Sequence, residues 1–204
     1  MAEIDYNALT KALSSRRFLP EVYDTAEEAK RAALEIIGMK SVGIGGSATV
    51  RDMKLAEALQ ENGNEVYWHW LAAKEAKQAA RDKALNADVY MCSTNALTMD
   101  GRLVNIDGTG NRAAGLIYGP HEVVVIAGKN KIVNGLDEAI DRIKREACPA
   151  NARRLGLDTP CAKTGKCYDC RTAARMCSVT YIHEGPTRPV TAVHVLIVNE
   201  ELGL

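Results

Sequence analysis

The chain of 204 residues has no surplus of charge of either sign: Lys+Arg and Asp+Glu stand at 26 each. No net field therefore draws it to nucleic acid or to an anionic membrane. Long hydrophobic runs are missing too, the longest being VHVLIV at 193–198, far below the roughly 18 residues that suggest a membrane span. The opening MAEIDYNALTKALSSRRF interleaves charges with apolar residues and holds no uninterrupted apolar core, so it does not read as a secretory signal. Without export, the thiols are expected to stay reduced and the protein to be cytoplasmic. There is no internal repeat and no low-complexity linker. The 47% hydrophobic composition is that of an ordinary globular protein, read here as a single domain over 1–204.

What is present is an alternation of helical and extended segments. Asp24 or Thr25 can cap AEEAKRAALEIIG, whose acidic first turn suits the helix dipole and whose Gly38 suits the helix end. Residues 41–70 then read as strand, Gly-Gly-Ser turn, helix, Asn-Gly-Asn break and strand, a βαβ unit. Further strands are expected in ADVYMCSTNA, EVVVIAG and VTAVHVLIVNE, and further helices in EAKQAARDKALN, RAAGLIYG and GLDEAIDRIKREA. The fold class is α/β: a Rossmann-like, mainly parallel sheet with helices on both faces. Apolar periodicity fades between 148 and 187, which is expected to form a cysteine-rich C-terminal flap carried on that sheet.

Three segments carry polar chemistry. The first, with Gly43, Gly45, Gly46, Ser47 and Thr49, lies between a predicted strand and helix, where an anion can dock on free N–H groups and the two hydroxyls. A tight turn with Ser47 as helix cap explains it equally well. It matches neither the dinucleotide fingerprint nor a P-loop. The second, residues 94–112, gathers Asn95, Thr98, Asp100, Asp107, Gly108, Asn111 and Arg112 after a strand, where open α/β sheets place their ligands. Turn chemistry accounts for much of it, though less readily for Arg112, whose planar fork suits a carboxylate or phosphate. In the third, Lys131 follows a strand end and with Arg153 could overhang the same crevice.

VGIGGSATVRDMKLAEAL, TNALTMDGRLVNIDGTGNRAAGLIYGP, VVVIAGKNKIV, CPANARRL and LIVNEELGL together resemble the lactate utilization (LUD) domain family from about residue 5 to the end. The resemblance implies a fold of the ribose-5-phosphate isomerase, glucosamine-6-phosphate deaminase and CoA-transferase type, with a Gly-rich turn facing an anionic substrate. It also implies a role in bacterial oxidation of lactate to pyruvate, beside iron-sulfur partner proteins. The segment from Met91 to His121 holds no Glu, so acyl transfer through a glutamyl thioester is not expected.

Five of the six cysteines lie between 148 and 177. Cys161, Cys167, Cys170 and Cys177, spaced C-x5-C-x2-C-x6-C, are the candidate ligands of an iron-sulfur cluster or zinc. The alternative is reduced, unligated thiols, with Cys148 packing as a small apolar residue. Cys92 reads as core, and none of the four histidines has a partner at a catalytic or ligand spacing. Two functions follow. In one, Gly45 to Thr49, Arg112 and Lys131 hold a small anionic metabolite of 2-hydroxy-acid oxidation, while the cysteine segment binds a cluster or docks an iron-sulfur partner. In the other, the chain is a sugar-phosphate isomerase-like enzyme with Asp107 as general base and a structural flap. A homo-oligomer is compatible with either.

Overall fold

The computed structural model describes residues 3–204. Ten strands and nine α-helices are described: α1 Tyr6–Ser15, β1 Leu19–Tyr23, α2 Ala26–Ile37, β2 Val42–Ile44, α3 Ala48–Asp52, α4 Leu55–Glu61, β3 Val66–Trp68, α5 Lys77–Leu85, β4 Val89–Ser93, β5 Ala96–Thr98, β6 Leu103–Asp107, α6 Asn111–Tyr118, β7 Glu122–Gly128, β8 Ile132–Val133, α7 Leu136–Arg142, α8 Cys148–Arg154, α9 Pro160–Thr164, β9 Val179–His183 and β10 Ala192–Val198. Among these residues no helix is long and apolar enough to cross a membrane.

A six-stranded sheet in the order β1-β10-β7-β4-β2-β3, parallel throughout, forms the centre. Its inner strands are apolar on both faces, as burial between two helix layers requires. Val89, Met91, Val124, Ile126, Leu196 and Val198 point to one layer with α2, α3 and α4. Tyr90, Cys92, Val123, Val125, Val195 and Ile197 point to the other, where Leu9 and Leu13 of α1 meet them. The α/β reading is therefore correct. Thr25 caps α2 in a reciprocal capping box with Glu28, and Gly38 ends that helix at φ 58°.

Three expectations needed revision. The loop after β4 opens a second sheet, β8-β5-β6-β9, with antiparallel and parallel pairs. The sequence reads as hairpin-like only at 101–111, because the strands are short and, apart from the β5–β6 hairpin, their pairings join segments distant in sequence. The helix expected after Ser47 is broken at Met53 and Lys54, where Lys54 takes a left-handed conformation at φ 52° at a cost of roughly 1–2 kcal/mol. The expected flap over 148–187 is built into the fold by α8, α9 and β9; its longest stretch without helix or strand is 165–178.

From α7 the chain runs on through a π-helical turn, Ile143–Ala147, into α8. The Cys148 amide donates to the Ile143 carbonyl, five residues back. Pro149 explains the widened turn: it has no N–H, and its ring would collide with the carbonyl four residues earlier in a regular helix.

Gly43 shows how tightly the layers pack, since a Cβ there would collide with the Ala84 carbonyl of α5. Gly43→Ala is expected to lower stability by about 1–3 kcal/mol or more, the usual range for overpacking, read as a lower urea midpoint at unchanged slope. An unchanged midpoint would show that α5 yields freely.

Candidate functional site

Strand order places the site. From β2 the chain moves outward to β3, then returns to the other side of β2 as β4, so the loops leaving β2 and β4 diverge and open a crevice at the carboxyl edge. A cavity of about 680 Å³ occupies this edge, within the ordinary range for small-molecule sites. Ser47 and Thr49 enter from the β2 loop, Trp68, His69 and Trp70 from β3, Ser93 and Asn95 from β4, and Lys131 from the turn after β7. The second sheet closes one wall with Asp107, Gly108, Asn111 and Arg112, and α8 adds Cys148 and Arg154.

Ser47 and Arg112 thus share one cavity, but their polar groups are largely committed. Ser47 Oγ accepts from the Val50 amide, 3.2 Å away, as the cap of α3. Arg112 is buried, and its guanidinium donates to Asp107 Oδ1 at 2.8 Å, the Ser93 carbonyl at 3.3 Å, Asn95 Oδ1 at 2.7 Å and the Ile106 carbonyl at 3.1 Å. The other carboxylate oxygen of Asp107 accepts from the Ala113 amide at 2.9 Å. This geometry moves Arg112 from anion receptor to structural tie. It likewise leaves Asp107 little freedom to act as a general base, because each of its oxygens already holds a proton donor.

The remaining predicted positions divide. Gly46, Gly108 and Asn111 line the cavity. Gly45 lies beneath it, where a Cβ would lie 2.9 Å from the Tyr90 hydroxyl. Thr98 is fully buried in the β5–β6 turn, its hydroxyl donating to Asp100 at 2.5 Å and accepting from the Arg102 amide at 2.9 Å. Arg153 turns to the Ala162 carbonyl, and its neighbour Arg154 reaches the cavity instead, 4.5 Å from the centre of the Trp70 ring.

Lys131 stands apart from the other cations. It is 3% exposed, and no carboxylate among the described residues pairs with it; Nζ meets only Thr49 Oγ1 and Ser93 Oγ, each at 2.8 Å. Burial, then the nearby Arg142 and Arg112, lowers its pKa to about 7, against weaker opposition from Cys92 and Asp52. His69 shows the same pressure. Burial, then Arg81 and Lys77, lowers its pKa to about 4, so the ring is neutral at neutral pH. His69 Nδ1 and Arg81 Nε are buried and find no hydrogen-bond partner among the described residues. Sequence reading gave His69 no site role and did not single out Arg81 or Ser93; the signal each carried was its position, in or just after a strand or on a helix beside one.

Among the described residues no three His, Cys, Asp or Glu side chains gather closely enough to hold a metal ion. The four expected ligands each make a local contact instead, although Cys161, Cys167 and Cys177 all lie close enough to Cys148 for their charges to act on it. Cys161 is buried against the Thr159 hydroxyl, Cys167 is exposed and accepts from the Asp169 amide, and Cys170 accepts from Thr172. Cys177 packs instead on the cluster containing Cys148, and the two thiols interact directly. That contact, with help from Arg175 and Lys144, lowers Cys177 to about 7 against the effect of burial, while the same contact and burial push Cys148 up. All six thiols are free.

Two measurements check these assignments. Unfolded Lys131 keeps its proton up to the ordinary value of 10.5, whereas folded Lys131 loses it near 7. The unfolded chain therefore binds the extra proton across that window, and stability rises with pH through it. The cost is complete below about pH 7 and gone above about 10.5. Lys131→Met is expected to stabilise the protein by a few kcal/mol near pH 6, at ~1.4 kcal/mol for each tenfold loss of proton affinity, and by much less near pH 10. A variant destabilised equally at both would refute the assignment. For the thiols, alkylation mapped by mass spectrometry is expected to label Cys177 with a midpoint near pH 7, and Cys148→Ala to move it toward about 8.5; a midpoint unmoved by that change would dissociate the pair.

The crystal structure of a DUF162 family protein from Deinococcus radiodurans superposes on the chain with a TM-score of 0.56 at 13% identity, covering 95% of this chain and 96% of that one. At that identity the likeness is one of fold. No curated protein matches. The LUD domain model matches residues 6–198, nearly the whole sequence, and the chain belongs to the LUD domain family.

Proposed function

We propose that the chain binds a small 2-hydroxy or 2-oxo carboxylate in this cavity, as a component of the 2-hydroxy-acid utilization with which its family is associated. The observation that carries the reading is the imbalance of the lining. Lys77, Arg81, Lys131 and Arg154 face it against Glu57, once Arg112 and Arg51 are set aside with their partners Asp107 and Asp52. Such a lining, partly withdrawn from water, attracts an anion and concentrates it.

Arg81 is the group best placed to receive the carboxylate. Among the described residues its buried Nε lacks an acceptor, and its one side-chain bond is a long one, 3.5 Å to Gln78. A guanidinium with free donors takes a carboxylate in two parallel bonds. His69 Nδ1, also unpartnered, is available to the hydroxyl or carbonyl oxygen of the same acid. Oxidation of a 2-hydroxy acid releases two electrons and two protons. In this reading the electrons pass to an iron-sulfur partner protein, and the chain supplies the binding and orientation of the acid.

Trp68 and Trp70, the only two tryptophans of the chain, both line the cavity, so their fluorescence reports occupancy. Titration with pyruvate and with lactate is expected to quench it, more weakly as salt is raised. Arg81→Leu is expected to weaken binding by about tenfold or more, the scale of a lost charge-assisted bond of 1.5–3 kcal/mol. Quenching by a sugar phosphate but by neither acid would replace this reading with the isomerase-like one.

A further inference from the structure

We propose that Lys131 is a covalent catalytic residue, whose Nζ condenses with the carbonyl of a bound 2-oxo acid to form an imine. The inference rests on the carboxylate reading of the cavity and deepens it by naming the carbonyl carbon as the point of attack.

Hydrogen-bond directions around Nζ settle which of its valences is free. Ser93 Oγ donates to the Thr94 carbonyl at 3.2 Å. Thr49 Oγ1 has acceptors in the Leu202 carbonyl at 3.4 Å and Ser93 Oγ at 3.3 Å. Both hydroxyls therefore have other uses for their own hydrogens and stand toward Nζ as acceptors, each at 2.8 Å. A neutral amine has two N–H bonds and one lone pair. With both N–H bonds directed at these hydroxyls, the lone pair is left over, and Lys131 belongs to the cavity wall. A lysine kept for structure would be expected to face a carboxylate, and this one faces none among the described residues. Arg112, buried nearby with its own charge matched by Asp107, adds to the pressure against an ammonium. Desolvation next to another cationic group is a recognised way of activating a lysine nucleophile.

The chemistry balances without a further reactant. The Nζ lone pair bonds to the carbonyl carbon while the C=O π pair moves to oxygen, which takes a proton. The nitrogen then gives up a proton, and its lone pair expels the hydroxyl, protonated again, as water. Starting from the ammonium form, the sum is one 2-oxo acid and one lysine ammonium giving one protonated imine and one water. Ser93 and Thr49, in contact with Nζ throughout, are placed to pass these protons. The imine carries positive charge beside the former carbonyl carbon, which acidifies hydrogens on the next carbon.

The test uses the full chain with pyruvate and cyanoborohydride. A reductively fixed three-carbon adduct is expected, mapped by peptide mass spectrometry to Lys131, together with exchange of the pyruvate methyl hydrogens for deuterium in heavy water. Lys131→Met is expected to lose both signals and, having lost one of the lining cations, to need more pyruvate for the same tryptophan quenching. Quenching by pyruvate with no adduct, or an adduct on Lys77 that survives Lys131→Met, overturns the lysine and leaves the carboxylate site standing. An adduct at Lys131 that forms equally well in Arg81→Leu supports the lysine and removes Arg81 from the binding of the acid. Neither quenching nor adduct overturns both.

Discussion

The Arg112 guanidinium is the tie between the two halves of the fold. It reaches the end of β4 in the parallel sheet through the Ser93 carbonyl, the linking loop through Asn95, and the second sheet through Ile106 and Asp107. Asn95 is the counterpart junction: its side-chain oxygen also accepts from the Ile106 amide, and its carbonyl accepts from the buried Arg142 of α7. Because breaking a buried pair leaves an uncompensated charge, typically at 3–5 kcal/mol, the second sheet is held at one angle against the first. The cavity is the space that this angle leaves open.

The same tie decides how charge is distributed. By neutralising Arg112, Asp107 removes a strong cation from the lining and leaves the positive charge to Lys77 and Arg81 of α5 and Arg154 of α8, joined by Lys131 while it holds its third proton. Trp70 holds Arg154 in place by its ring face, a contact that keeps the charge without consuming its hydrogen-bond donors. The chain has zero formal net charge, yet its cavity has a sign. Composition gave no hint of this, since whole-chain balance says nothing about where charges of each sign are placed.

Much of the frame was legible in the residues. The cap of α2, read as Asp24 or Thr25 and supplied by Thr25, the uninterrupted apolar strands and the turn at Gly45-Gly46 all act through neighbours a few positions away. The site was legible in its segments and much less so in its roles. Arg112 invited an anion because its partners Ser93, Asn95 and Ile106 come from two different sheets and the loop that joins them. Lys131 looked like an ordinary strand-end lysine because its burial depends on β4 lying beside β7, with β2 next in line. The cysteine spacing, for the same reason, did not announce Cys148, the first residue of α8 and just beyond the point where the sequence seemed to end the helix, as the residue that Cys177 meets.

The π-helical turn before that cysteine works as a phase shifter. A regular helix advances about 100° per residue, so the one residue accommodated between Ile143 and Ala147 sets which side of α8 looks inward. Cys148, Asn151 and Arg154, three apart in succession, form a single stripe along that side and all reach the cavity wall. A chain of this family that had lost the extra residue would keep its helix and its sheet, yet would turn the stripe away and show the crevice a different row of side chains. Diversity of ligand within such a fold can therefore arise from a single insertion or deletion remote from the strands that build the crevice.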